Sequence, residues 1–258
     1  MTTNQFEAQS SDGWARAFPR LASLYDAANP APGTFFHGVP YAVNNFPLAC
    51  EFYQVIESDL AQLDPDAWDA FRAKALRSDV RSHNHRGYAG VCNALSEAKG
   101  YRRLRQELQR RNLKYDQIVL IPEDNRRRTP DWGALSEGSP VAALEVKTIQ
   151  ESDDYSRYID RNTRSLQERR GAIARRASPH IPDALWNKLR STVEQARRQL
   201  SEYAPGSDAL RIAMLIVQLD HEQSLWADNY EAVSSFLEGQ GDGMFQVVCE
   251  FYGWKVAD

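Results

Sequence analysis

From Asp131 to Ile149 the chain reads DWGALSEGSPVAALEVKTI: two apolar segments either side of SEGSP, where glycine and proline mark a turn. The first segment, from Asp131 to Leu135, reads as a strand. The second, from Val141 to Ile149, is rich in β-branched and apolar residues and reads as another. Two such strands across a short turn make an antiparallel hairpin, and a hairpin dictates which residues face each other. With Gly138 at the turn centre, Asp131 and Glu145 are equidistant from it and fall opposite one another. Directly opposed residues have Cβ atoms roughly 4.5–5.5 Å apart on one face. Lys147, two residues beyond Glu145, points to that same face. A one-residue slip would send the two acids to opposite faces. Two carboxylates and a lysine on one face are the groups that place a divalent ion and a water beside a phosphodiester.

The surrounding pattern alternates helix and strand. Residues 28–47 read as a loop with a short strand at 34–36. Pro47 opens a helix with apolar Leu48, Phe52, Val55, Ile56 and Leu60. Asp64 as N-cap and Pro65 at the first helical position open the next, so an αα-hairpin is expected. A long helix is predicted from Tyr88 to Asn112, with Val91, Leu95, Leu104 and Leu108 on its apolar side, then a strand over residues 115–121. After the hairpin, residues 150–181 form an insertion with seven arginines. Pro182 opens a helix carrying Leu185, Leu189, Val193, Ala196 and Leu200. Residues 210–219, LRIAMLIVQL, are apolar nearly throughout, as in a strand covered on both faces. A helix over 227–237 and a strand over 245–252 follow. The order from Tyr88 is α-β-β-β-α-β, then α-β, which predicts an α/β protein with a mixed sheet flanked by helices. The expected division is a mostly helical extension over residues 1–85 and a sheet domain over residues 86–258.

Composition narrows the class further. A hydrophobic fraction of 42% and a charged fraction of 26% predict an ordinary globular core. No apolar run approaches the roughly 20 residues of a membrane span. The opening residues, MTTNQFEAQSSDGW, lack the basic and apolar regions of a signal peptide. Cys50, Cys92 and Cys249 are odd in number and far apart, as buried free thiols in a reducing cytoplasm would be. The net charge of −4 is unevenly spread. Residues 99–198 hold 22 Lys and Arg against 14 Asp and Glu, leaving +8, and the remainder holds 9 against 21, leaving −12. The basic middle suits a polyanion; solvated helix faces would give the same count.

Pro130-Asp131, Glu145-x-Lys147 and the α-β-β-β-α-β order around them resemble the PD-(D/E)xK nuclease superfamily, whose members share the restriction-endonuclease-like fold. Gln199-Leu200-Ser201-Glu202-Tyr203, in the helix after the third strand, is similar to the QxxxY motif of the RecB and lambda-exonuclease branch. The likeness covers residues 88–220. It departs from many RecB-type sequences in having Glu rather than Asp before x-Lys, and in the arginine-rich insertion. It implies Mg²⁺, with Mn²⁺ as substitute, held by Asp131, Glu145 and the backbone carbonyl of Val146. It also implies a further acid from the preceding helix, for which Glu97 is the natural candidate and Glu107 its competitor. Lys147 would orient the attacking water, and Gln199 and Tyr203 the substrate phosphate or the water. DNA is the expected substrate, with RNA as a second class. Arg126, Arg127 and Arg128 before the hairpin, and Arg102 and Arg103 on the long helix, are candidate phosphate contacts. A catalytically idle member of the same fold, binding DNA or a protein, is the alternative, and a homodimer is compatible with either.

Other motifs carry less. His83-x-His85 evokes an HNH nuclease but lacks a distant partner histidine with suitable flanks. No GxSxG elbow, P-loop or GxGxxG occurs. Trp132, next to Asp131, is placed to stack on a base or to pack on the opposite sheet face.

Overall fold

A computed structural model describes residues 11–80, 88–122, 128–149, 181–206, 208–217 and 227–251. Arg126, Arg127, His83, His85 and nearly all of the arginine-rich insertion lie outside these residues. The chain is an α/β protein in which N-terminal helices precede a five-stranded mixed sheet. The elements are α1 (Ser11–Ala17), α2 (Pro19–Ala28), α3 (Phe35–Asn45), α4 (Pro47–Leu60), α5 (Pro65–Ser78), α6 (Ala89–Arg110), β1 (Gln117–Leu120), β2 (Trp132–Ser136) and β3 (Ser139–Ile149). Then come α7 (Asp183–Tyr203), β4 (Leu210–Val217), α8 (Ala227–Glu238) and β5 (Phe245–Phe251). The contacts form two compact units, Met1–Leu120 and Ile121–Asp258.

In the first unit, α6 packs against α4 and α5 and buries Val91, Leu95, Leu104 and Leu108, the face its spacing predicts. Asp64 caps α5 by accepting from the Ala67 N–H at 2.9 Å, and its other oxygen accepts from the Tyr101 hydroxyl at 2.8 Å. Two expectations fail. Residues 35–45, read as loop and strand, form α3 despite Pro40, because Phe35, Phe36 and Val39 bury one face and the Asp79 carboxylate accepts from the Phe35 N–H at 2.8 Å. The buried face of α4 is only partly the one predicted: Leu60 is buried and Phe52 and Ile56 half-buried, but Leu48 and Val55 are exposed and Tyr53 and Glu57 are buried instead. Glu57 belongs inside because its carboxylate takes the Arg20 and Leu21 N–H groups at 2.8 and 2.9 Å. It thereby caps α2, whose own cap residue, Phe18, has no side-chain acceptor.

The second unit is built around β4. Its residues are buried apart from Arg211, as the continuous apolar run requires. The sheet order is β1-β2-β3-β4-β5, with β2 and β3 antiparallel and β3-β4 and β4-β5 parallel. Ala143, Ala213, Leu215, Val217, Phe245 and Val247 face a helical layer formed by Leu189, Val193, Ala196 and Leu200 of α7 with Val233 and Leu237 of α8.

The β2–β3 register decides the positions of the acids. The turn is two residues, Glu137 and Gly138, both at positive φ (49° and 76°), as a type I′ hairpin demands. Continued unbroken, Ser136↔Ser139 and Leu135↔Pro140 would set Asp131 opposite Leu144. A bulge between Ala134 and Leu135 intervenes, with Val141 as the extra residue, and pairing resumes as Ala134↔Ala142, Gly133↔Ala143 and Trp132↔Leu144. Asp131 and Glu145 therefore do share a face. The predicted register holds, although the predicted turn, centred on Gly138 alone, does not. A Cβ on Gly138 would meet nothing within 4 Å, so its substitution cost is confined to the backbone. Gly138→Val is expected to lower stability by about 1–2 kcal/mol, measured as a shift in the denaturant midpoint.

Candidate active site

Asp131, Gly133, Ala143, Glu145 and Lys147 lie on the face of the hairpin that receives α7. Trp132 is fully buried on the other face, which settles its role as packing rather than base stacking. Three backbone contacts set the acid end of β2. The Asp131 N–H donates to the Leu144 carbonyl at 3.1 Å, and the Asp131 carbonyl accepts from the Ile121 N–H at 2.8 Å. The Asp131 carboxylate accepts from the Val146 N–H at 2.7 Å. A strand residue directs its N–H and C=O to the same neighbour. The Val146 carbonyl accordingly points to the side of Asp131, past the first residue of β2.

Glu145 is 3% exposed. One of its oxygens bonds the Lys147 ammonium in a close ion pair, and the other accepts from the Gln199 carboxamide at 2.9 Å. That same carboxamide nitrogen also donates to the Thr129 carbonyl, tying the loop before Asp131 to the helix. Burial, and then the charge of Asp131, push the Glu145 carboxyl up to about 7, while Lys147 and Gln199 pull it back. Two carboxylates brought this close raise each other's affinity for a positive charge. Among the described residues no group of three or more His, Cys, Asp or Glu side chains is arranged to hold a metal. A pair fits Mg²⁺, which takes one or two carboxylates and fills its octahedron with water and phosphate oxygens.

Tyr203, four residues after Gln199, lies over β2. A Cβ on Gly133 would stand 2.8 Å from the Tyr203 hydroxyl and 3.2 Å from the Ile121 Cδ1. Gly133, Ala143 and Ala213 are the small residues that let α7 approach this face. Thr129 and Gly133 were not singled out in the sequence. The signal for Gly133 was a glycine inside a strand, two residues from a candidate ligand.

The remaining candidates have their own partners. Glu97, in the first unit, pairs with Lys74 at 2.8 Å. Glu107 is engaged by Arg103 at 3.0 Å and Arg110 at 2.7 Å, and Arg102 pairs with Asp59 at 2.7 Å. Arg128 is exposed beside Thr129. Cys50, Cys92 and Cys249 are free but half-buried, not buried as expected, and burial raises the Cys249 thiol to about 12, which disfavours its thiolate. No helix among the described residues is long and apolar enough to cross a membrane. No protein-family model matches the chain, nor does any curated protein or solved structure.

Two outcomes are expected from this geometry. Folded Glu145 holds its proton up to about 7, against 4.5 for the ordinary group. The folded state thus binds more protons in that window, and stability falls as pH rises through it. In EDTA the protein should lose on the order of 2–3 kcal/mol between about pH 5 and pH 8 from this group, and thermal melts of Glu145→Gln should lack that part of the slope. Gly133→Ala should cost about 1–3 kcal/mol by crowding Tyr203. In a double-mutant cycle, Tyr203→Phe should recover part of that loss by removing the oxygen nearest the new methyl.

Proposed function

We propose that the chain is a metal-dependent nuclease of the PD-(D/E)xK type, with a restriction-endonuclease-like core, which hydrolyses phosphodiester bonds of DNA. The observation that carries this reading is the convergence of Asp131, Glu145 and Lys147 on one hairpin face, with Gln199 of the next helix bonded to Glu145. The order α6-β1-β2-β3-α7-β4 is the one the resemblance implies.

Asp131 and Glu145 would hold the ion, with the Val146 carbonyl as a further ligand. Bound there, Mg²⁺ or Mn²⁺ supplies Lewis acidity toward the phosphoryl oxygen and lowers the pKa of its water. The chain's own residues do the positioning. The Val146 N–H fixes the Asp131 carboxylate. Gln199 orients Glu145 and anchors it to the Thr129 carbonyl. Lys147 offers a cation to the charge that develops on the phosphoryl group. Tyr203, seated on Gly133, holds the end of α7 against β2. Arg128, exposed at the entry to the hairpin, contributes a phosphate contact that carries no sequence information.

The purified chain is expected to cleave DNA in Mg²⁺ or Mn²⁺ and to be inert in EDTA. Asp131→Ala, Glu145→Ala and Lys147→Ala, each verified as folded by circular dichroism, should cleave at least about 10²–10³-fold more slowly. A panel of linear, circular and single-stranded DNA and RNA identifies the substrate. Equal cleavage by wild type and Glu145→Ala overturns the assignment. DNA binding without cleavage in either ion identifies a catalytically idle module.

A further inference from the structure

Both oxygens of Glu145 are taken by donors of the chain itself, one by the Lys147 ammonium and the other by the Gln199 carboxamide. The Lys147 ammonium lies against one Glu145 oxygen, where a bound cation would also have to sit, so ammonium and ion repel each other at that oxygen. Resting on the nuclease reading, we propose that Lys147 is the internal counter-ion of the metal site: it occupies the cation's place on Glu145 and yields that place when the site is loaded.

Three observations support the exchange. Glu145 is 3% exposed and shares its face with Asp131, so little water reaches its charge and a positive group beside it is favoured when no ion is bound. Lys147 follows two residues later on the same strand face, and its side chain is 28% exposed. Its flexible four-carbon stem can swing toward solvent with no change in the backbone. Gln199, in contrast, is neutral and tied to the Thr129 carbonyl, so it keeps its oxygen of Glu145 in both states. Before loading, Lys147 thus places one positive charge on the Glu145 carboxylate. By reciprocity, removing Lys147 must tighten ion binding, even though it removes a group the reaction needs.

The test measures binding of Mn²⁺ alone, by loss of the free-ion electron paramagnetic resonance signal, with all variants at one pH and ionic strength. Wild type is compared with Lys147→Met, Lys147→Gln, Lys147→Arg, Glu145→Gln and Arg128→Met, each verified as folded. Lys147→Met and Lys147→Gln are expected to bind about tenfold or more tightly than wild type, because a unit positive charge leaves the ligand carboxylate. Lys147→Arg, which keeps the charge, should stay within about threefold. Arg128→Met, which removes an exposed charge outside the Glu145 contacts, should do the same. If Lys147→Met and Lys147→Gln bind no more tightly than wild type, the exchange is wrong, and the nuclease reading then stands or falls on cleavage. If Arg128→Met tightens binding as much as they do, the effect is the general field and the proposal also fails. If wild type binds no Mn²⁺ that Glu145→Gln abolishes, the metal site and the proposal fall together.

Discussion

One extra residue in β3 governs the site. The tight Glu137-Gly138 turn alone would pair Asp131 with Leu144 and leave the acids on opposite faces of the sheet. The bulge at Val141 moves the pairing by one and returns Asp131 to the face of Glu145. The position of Trp132 follows from the same shift, since it is buried on the face away from the acids. The docking of α7 follows too, because the Gly133–Ala143 pair then lies beneath it.

Burying Glu145 is costly unless every oxygen is satisfied, and the fold meets that requirement from two directions. Lys147 comes from the same strand and Gln199 from the helix laid across it. Gln199 reaches only because the surface beneath α7 is small: glycine in β2, alanine in β3 and alanine in β4. A larger residue at any of these would lift the helix and break the link between Glu145 and the Thr129 carbonyl. The first unit shows the same economy, with Glu57 and Asp79 buried or half-buried to cap helices distant in sequence.

Much of this was legible before the fold was known, because the governing signals are local. Periods of two and of about 3.6 residues, together with Gly and Pro punctuation, located β2 to β5 and α4 to α8 to within a few residues. The failures have physical causes. Residues 35–45 look like a broken loop because Pro40 sits inside them, and only the Phe35–Phe36–Val39 face and a cap from Asp79 make them helical. On α4 the hydrophobic count favoured Leu48 and Val55, while the buried face is chosen by Glu57, whose partners lie 36 and 37 residues away.

The sequence by itself determined the element order, the buried character of β4, and the candidacy of Asp131, Glu145, Lys147, Gln199 and Tyr203. Those follow from residue type and spacing, which act over a few positions. Only the tertiary structure decided what those residues touch: the bulge that confirms the shared face, the helix that brings Gln199 54 residues along the chain to Glu145, and the glycine on which Tyr203 rests. A bulge depends on the strain of closing a particular turn against a particular strand, and a helix docking depends on the volume beneath it. Neither is a property of any short window of residues, so neither could be read until the chain was folded.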